Sequence, residues 1–413
     1  MDTMKQAKQT QDSWTLLAAL RWTEQHLTRH GEQNARLSAQ LLMAQATGLE
    51  RIELYTNFDL TLSRAEREAL RTSIQRRVAG EPLQYILGKA PFYHIDLAVT
   101  PDVLIPRPET ESLVELVLGH FAQSVACDTR SVACDTQSVD HTVQSADPDH
   151  TAQSADRAVK NSSSVATLVL SQEPVPSLRL LEFGTGCGNI ALTLARELEG
   201  CHIVATDISP AALSVARANA MALDLADAVE FVLDDFMISF DGAGEPGGQG
   251  CSSLCHTHSS FIKDADEFGI QDYSPVQDTS QMMPFFDAIV SNPPYIPSGL
   301  VPTLPPEVVD HEPLLALDGG SDGLDALRAI ATRAVGLLAP GGLLALELHE
   351  TSLDAAADYV RGLPYRAIEI HDDLNGRPRF LTATFEAGRV DRALRADKIV
   401  RTGSAERKNR ASA

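Results

Sequence analysis

Between Leu178 and Phe385, strand-length apolar runs alternate with helix-length ones. Strands are read at 178–182, 202–207, 228–233, 286–291, 342–348, 365–371 and 379–385, with helices from 189, from Ser209-Pro210, at 324–338 and at 351–361. Alternation of this kind closes as a doubly wound, mainly parallel sheet, because each crossover helix returns the chain to the same edge. The last two runs have no helix between them, so they form a terminal antiparallel hairpin. The fold class is therefore α/β and Rossmann-like, with a seven-stranded sheet.

Ahead of this region the period changes. Residues 12–85 read as helices: Trp14, Leu17, Leu20 and Leu27 suit one apolar face, Leu37, Leu41 and Ala44 another. Ser63-x-x-Glu66 is a capping box opening a helix with Leu70, Ile74 and Val78 inward. Residues 1–88 are expected to be a small helical domain, and 89–108 a β-hairpin linker, since PFYHIDLAVTPDVLIP breaks β-branched and aromatic runs with prolines. Pro108 then takes a first helical position, with Glu109, Glu111 and Glu115 near the positive end of a helix running to about Phe121. The catalytic domain is expected over 109–387.

Two stretches do not fit the alternation. Residues 122–177 repeat SVACDT and QSAD without an apolar face, and about 240–284 are rich in Gly, Ser and acidic residues; both read as disordered insertions. The basic residues from 388 to 413 read as a disordered tail. The formal charge of −22 makes the chain repel polyanions, so stable nucleic-acid binding and adhesion to anionic lipid are not expected. No apolar run is long enough to cross a membrane, and the first residues resemble neither a signal nor a transit peptide, which reads as cytoplasmic. Six scattered cysteines do not make a disulfide framework. Cys251, Cys255, His256 and His258 lie close together, but no second ligand pair closes a loop around them, so no metal is expected. A monomer is expected.

The first strand runs into Gly184-Thr185-Gly186-Cys187-Gly188-Asn189 and a helix. Glycines let a backbone approach a ligand, and the helix start offers free N–H groups. A dinucleotide fingerprint would put glycine where Asn189 stands; Gly-x-Gly-x-Gly instead suits S-adenosylmethionine, which has no pyrophosphate to cradle. Asp207, about 20 residues on at the next strand end, can accept both ribose hydroxyls. Helix capping is its plainer use, and Ser209 is better placed for that. After the third strand, Phe236 can flank an adenine ring and Asp235 receive its amine, with core packing the alternative for Phe236.

The fourth strand ends at Asn292-Pro293-Pro294-Tyr295. A planar NH₂ group is a poor nucleophile because its lone pair is delocalised. The Asn292 side-chain oxygen and the Pro293 carbonyl can each accept one of its N–H bonds and so aim the lone pair at a sulfonium methyl. Pro293 and Pro294 stiffen the loop, while Tyr295 can stack on the substrate. These four residues are the candidate catalytic and substrate-binding set, and Asn292 also borders the cofactor. A proline-rich turn is the plainer alternative.

With GEPLQYILG (80–88), TPDVLIPRPETE (100–111), LEFGTGCGNIAL (181–192), ATDISPAAL (205–213), SNPPYIPS (291–298), HEPLLALDGGSDGL (311–324) and DLNGRPRFLTA (373–383), the sequence resembles the bacterial peptide-chain release factor glutamine N5-methyltransferases, a branch of the class I S-adenosylmethionine-dependent enzymes. The resemblance implies methylation of the glutamine in the Gly-Gly-Gln motif of class 1 release factors, with the head helping to hold the factor. It places Gly184 to Gly188, Asp207 and Phe236 on the cofactor and Asn292 to Tyr295 on the glutamine. Glu182 departs from the family, which usually carries aspartate there. Arg107 and Glu109 are assigned to the linker, without a catalytic role. Gly247-Gly248-Gln249 copies the substrate tripeptide; coincidence in a Gly/Gln-rich loop is the plainer reading, and a pseudosubstrate that visits the active site the alternative. Two readings stand beside the leading one: an N-methyltransferase acting on an exocyclic amine of DNA or RNA, and a non-catalytic cofactor-binding module.

Overall fold

The computed structural model describes residues 14–135, 178–237 and 285–387. The 240–284 insertion, the basic tail, the Cys251–His258 cluster and Gly247–Gln249 lie outside the described residues, as does most of the first insertion.

The head is built from α1 (Leu16–Arg29), α2 (Ala35–Thr47), α3 (Arg64–Val78) and the short α4 (Leu83–Leu87). The α3 cap forms as its sequence dictates: Ser63 Oγ accepts from the Glu66 amide at 3.2 Å, and Glu66 Oε2 accepts from the Ser63 amide at 2.6 Å. The faces differ in phase from the expected ones. Helix α1 starts only after Thr15, whose side chain caps it, so the buried stripe is Leu16, Leu20 and Leu27, while Trp14 stays exposed and Leu17 half-buried. In α2 the small Ala35 and Ala39 turn inward with Leu42 and Met43, which leaves Leu37 exposed and Leu41 half-buried. Leu70 and Ile74 are buried as expected, but Val78, at the helix end, is exposed. Each fully buried leucine here contributes about 1.5–3 kcal/mol over its exposed state.

The linker is a hairpin shorter than its proline pattern implies: β1 (Lys89–Phe92) pairs antiparallel with β2 (Ile95–Ala98). Residues from Val99 to Arg107 are irregular, since Pro101 and Pro106 cannot supply ladder donors. Asn219 binds the hairpin to the catalytic domain, accepting from the Ala98 amide at 2.7 Å and donating to the Ala98 carbonyl at 3.0 Å. A third bond joins Asn219 to the Cys187 carbonyl at 2.9 Å, so hairpin and glycine loop share one bracket. Arg77, on α3, adds a second tie by pairing with Glu32 at 2.6 Å and Glu307 at 3.0 Å.

Helix α5 (Glu109–Asp135) begins one residue after Pro108 and runs well past Phe121. No glycine or proline lies between Phe121 and Asp135 to interrupt its backbone ladder, so the irregular stretch begins later than its repeats imply.

The sheet follows from β3 (Arg179–Phe183), α6 (Asn189–Glu197), β4 (His202–Asp207), α7 (Pro210–Ala222), β5 (Val229–Leu233), β6 (Phe286–Ser291), α8 (Pro306–Val309), α9 (Asp325–Ala334), β7 (Leu338–Glu347), α10 (Leu353–Arg361), β8 (Tyr365–Asp372) and β9 (Pro378–Phe385). Its order is β5-β4-β3-β6-β7-β9-β8, with β9 antiparallel to both neighbours. The strand order reverses between β3 and β6, which is where open α/β sheets bind ligands. Apolar cores lie on both faces, one holding Leu180, Ile190, Ile203 and Ala288, the other Leu181, Phe183, Ile289 and Leu344. Among the described residues no helix is long and apolar enough to cross a membrane.

Candidate functional site

The carboxyl ends of β3, β4, β5 and β6 converge on one cavity of about 670 Å³. Gly184, Thr185, Gly186, Cys187, Asp207, Asp235, Phe236, Asn292 and Pro294 all line it, while Gly188, Pro293 and Tyr295 do not.

The loop after β3 turns through three left-handed glycines, Gly184, Gly186 and Gly188, with φ of 70°, 57° and 87°. A side chain at Gly188 would press on Leu192 Cδ1 at 2.9 Å, and its left-handed φ already favours glycine there. At Gly184 and Gly186 a Cβ would meet nothing within 4 Å, so the bare backbone there can lie close against a ligand. Beneath the loop, Glu182 Oε2 accepts from the Thr185 hydroxyl at 2.7 Å and the Ala191 amide at 3.1 Å. Glu182 Oε1 has no hydrogen-bond partner among the described residues. Burial pushes the Glu182 carboxyl up to about 8. Cys187 is also buried, which pushes its thiol up to about 12 and makes it unreactive.

Asp207 holds the loop from β4, its Oδ2 accepting from the Gly186 amide at 2.8 Å and its Oδ1 from the Ser209 amide at 2.9 Å. Capping of α7 falls to Ser209, whose Oγ accepts from the Ala212 amide at 3.2 Å. Each Asp207 oxygen retains a lone pair for a diol. Phe236 both lines the cavity and packs on Phe183, with ring centroids 5.4 Å apart. The two uses proposed for that ring are thus compatible. Next to it, Asp234 is fixed by Arg333 at 2.9 Å, and Asp235 Oδ1 accepts from the Met237 amide at 2.9 Å. A glycine cradle without side chains and a carboxylate acceptor at the adjacent strand end, both lining the cavity, fit S-adenosylmethionine.

Asn292 follows Ser291, whose hydroxyl donates to the Phe183 carbonyl at 2.7 Å and locks β6 to β3. The Asn292 amide nitrogen donates to Thr110 Oγ1 at 3.0 Å, and the Thr110 hydroxyl donates to Glu347 Oε2 at 2.7 Å. Tyr295 turns its hydroxyl to Glu347 Oε1 at 3.3 Å. Its ring therefore packs beside the core, where burial pushes the phenol up and Glu347 adds to the effect. The same burial lifts Glu347 to about 7.

The loop after Tyr295 is held by a glycine-rich segment. Ile296 donates its amide to the Leu317 carbonyl at 3.0 Å, and Gly319 donates to the Ile296 carbonyl at 2.9 Å. A Cβ at Gly319 would lie 2.7 Å from the Pro294 carbonyl oxygen, and one at Gly323 2.4 Å from that of Tyr295. Arg107 pairs with buried Glu312 at 2.6 Å, and Glu312 Oε2 also accepts from the Ile105 amide at 3.3 Å. Sequence reasoning gave no role to Thr110, Glu312, Gly319, Gly323 or Glu347. Four of them lie in stretches that matched the family, TPDVLIPRPETE and HEPLLALDGGSDGL, which was the available signal. Glu347 is marked only as a carboxylate ending an apolar strand. Among the described residues, no group of His, Cys, Asp or Glu side chains is arranged to hold a metal ion.

A methyltransferase domain model matches residues 180–243, so fold and site together define a methyltransferase. Among solved structures, a methyltransferase from Pyrococcus furiosus matches at 18% identity, covering 51% of this chain and 76% of that one, with a TM-score of 0.31. The PrmC N-terminal domain model matches residues 18–88. Release factor glutamine methyltransferase from Moorella thermoacetica is 34% identical over 370 residues, covering 89% of this chain and 98% of that one. The Geobacter sulfurreducens protein of the same name is 33% identical, covering 81% and 84%. The chain belongs to the release factor glutamine methyltransferase family.

Proposed function

We propose that this enzyme transfers a methyl group to the side-chain amide nitrogen of the glutamine in the Gly-Gly-Gln motif of class 1 peptide chain release factors. The observation that carries this reading is that Asn292 and Pro294 border the same cavity as the glycine loop and Asp207. S-adenosylmethionine supplies a methyl group already activated on a sulfonium. The chain's own work is alignment. Gly184 and Gly186 let the backbone approach the cofactor, Asp207 accepts ribose hydroxyls, and Phe236 flanks the adenine. The Asn292 oxygen and the Pro293 carbonyl hold the two N–H bonds of the glutamine, so that its lone pair faces the methyl carbon. Such alignment can supply about 7–11 kcal/mol of the barrier, and one acceptor placed where charge grows is worth about 10²–10³ in rate. Loss of a proton from the methylated nitrogen to solvent completes the reaction.

The glutamine enters past Leu314 and Leu315, which are exposed at the cavity mouth. Residues 1–88 hold the factor, 89–108 join the head to the catalytic domain over 109–387, and the enzyme works as a cytoplasmic monomer. Incubation with labelled S-adenosylmethionine and, separately, release factor, DNA and tRNA tests the reading. Label in the release factor glutamine is expected. Label only in nucleic acid would favour an exocyclic-amine methyltransferase, and label nowhere a binding module.

A further inference from the structure

We propose that Thr110 and Glu347 are positioning residues that determine which end of the Asn292 carboxamide faces the substrate. The inference rests on the reading above, in which Asn292 must present oxygen to an NH₂ group. A carboxamide is nearly symmetric in shape, and the reversed orientation would set N–H against N–H. Something must therefore choose between the two.

Thr110 makes the choice because its hydroxyl has one proton. When Glu347 is ionised its Oε2 takes that proton at 2.7 Å, which leaves Thr110 Oγ1 able only to accept. Only the nitrogen end of Asn292 can satisfy it, and that end lies 3.0 Å away. The other Glu347 oxygen receives the Tyr295 hydroxyl at 3.3 Å, so one carboxylate steadies two side chains of the Asn-Pro-Pro-Tyr loop. Backbone register sets the arrangement, since Ser291 pairs with Leu346 and Asn292 and Glu347 follow them side by side. Glu347 ends a run, Leu343 to Leu346, that is otherwise entirely buried and apolar. A carboxylate is costly there, and packing alone would select another leucine. Glu109 on α5 and Arg379 on β9 are the other charges close to it.

The test uses the full-length chain with a class 1 release factor. Thr110→Val keeps the shape and removes the hydroxyl. It is expected to lower kcat about 10–100-fold, as loss of an outer partner does around metal ligands, with cofactor affinity and KM unchanged. Thr110→Ser retains the hydroxyl and is expected to restore kcat. In an Asn292→Ala background Thr110→Val is expected to add nothing, because it acts only through Asn292. Wild-type kcat in Thr110→Val, or an equal loss in both backgrounds, would overturn the proposal. A readout independent of substrate accompanies these assays: in isotope-labelled protein, the Asn292 side-chain NH₂ should be protected from solvent exchange, and Thr110→Val should remove that protection. If the wild-type enzyme leaves the release factor unmethylated while this protection is present, the substrate reading fails and the positioning role stands. Absence of protection in the wild type would overturn the role.

Discussion

The Asn292 side-chain nitrogen donates to Thr110 Oγ1 at 3.0 Å across 182 positions of sequence. That bond joins the first turn of α5, which follows the linker, to the loop at the end of β6. The candidate site is therefore not a property of the sheet alone. It exists only when linker, helix and sheet have assembled.

The contact between Gly319 and Pro294 yields the first prediction. A Cβ there would lie 2.7 Å from one backbone atom and 2.8 Å from another, so the Asn-Pro-Pro-Tyr loop must move. Gly319→Ala should cost about 1–3 kcal/mol of stability from overpacking. Turnover should fall more steeply, since displacements of about 1 Å can cost 10²-fold in rate. Gly336→Ala, where the nearest atom would be 3.7 Å away, should leave both nearly unchanged. Denaturant midpoints and single-turnover methyl transfer check the pair.

Arg107 and Glu312 give a second. The Glu312 side chain is 1% exposed and Arg107 33% exposed, so removal of the arginine leaves a buried carboxylate with the Ile105 amide as its remaining hydrogen-bond partner among the described residues. Arg107→Met should destabilise by about 3 kcal/mol. Combining it with Glu312→Leu should recover much of that loss, because no buried charge is then left without a partner. Chemical denaturation of the four proteins in this cycle measures the coupling.

How much of this was legible in the sequence differs by element. The seven strands are legible because each is a short apolar run bounded by turn residues, and the glycine loop because its glycines follow a strand and open a helix; the order of the strands in the sheet is set by pairings between distant segments and is not. The helix faces of the head were misplaced by a fraction of a turn. Whether Trp14 or Leu16 leads the buried stripe depends on where the Thr15 cap starts the helix, a tertiary matter since Thr15 also bridges to Thr61. The bond from Thr110 to Glu347 spans 237 positions and leaves no local trace. Nothing near Tyr295 in sequence announces the carboxylate that takes its hydroxyl either.

A third prediction concerns pH and stability. Burial lifts Glu182 to about 8 and Glu347 to about 7, whereas in the unfolded chain a glutamate titrates near 4.3. Between those values the folded protein keeps protons that the unfolded chain has released, so stability falls as pH rises through the window. The denaturant midpoint should therefore drop from about pH 5 to about pH 8. Glu182→Gln should flatten the slope, because its amide oxygen can still accept from Thr185 and Ala191 while the nitrogen occupies the unpartnered side. An unchanged slope would show that Glu182 does not titrate in this range.

The central claim is that the cofactor and the amide are held by separate groups meeting in one cavity. Cofactor affinity by calorimetry, set beside methyl transfer to release factor, tests it with two variants. Asn292→Ala should abolish transfer, by about 10²–10³-fold or more, and leave affinity for S-adenosylmethionine near that of the wild type. Asp207→Ala should weaken cofactor binding first, with turnover at saturating cofactor much less affected. Full methyl transfer by Asn292→Ala would contradict the account.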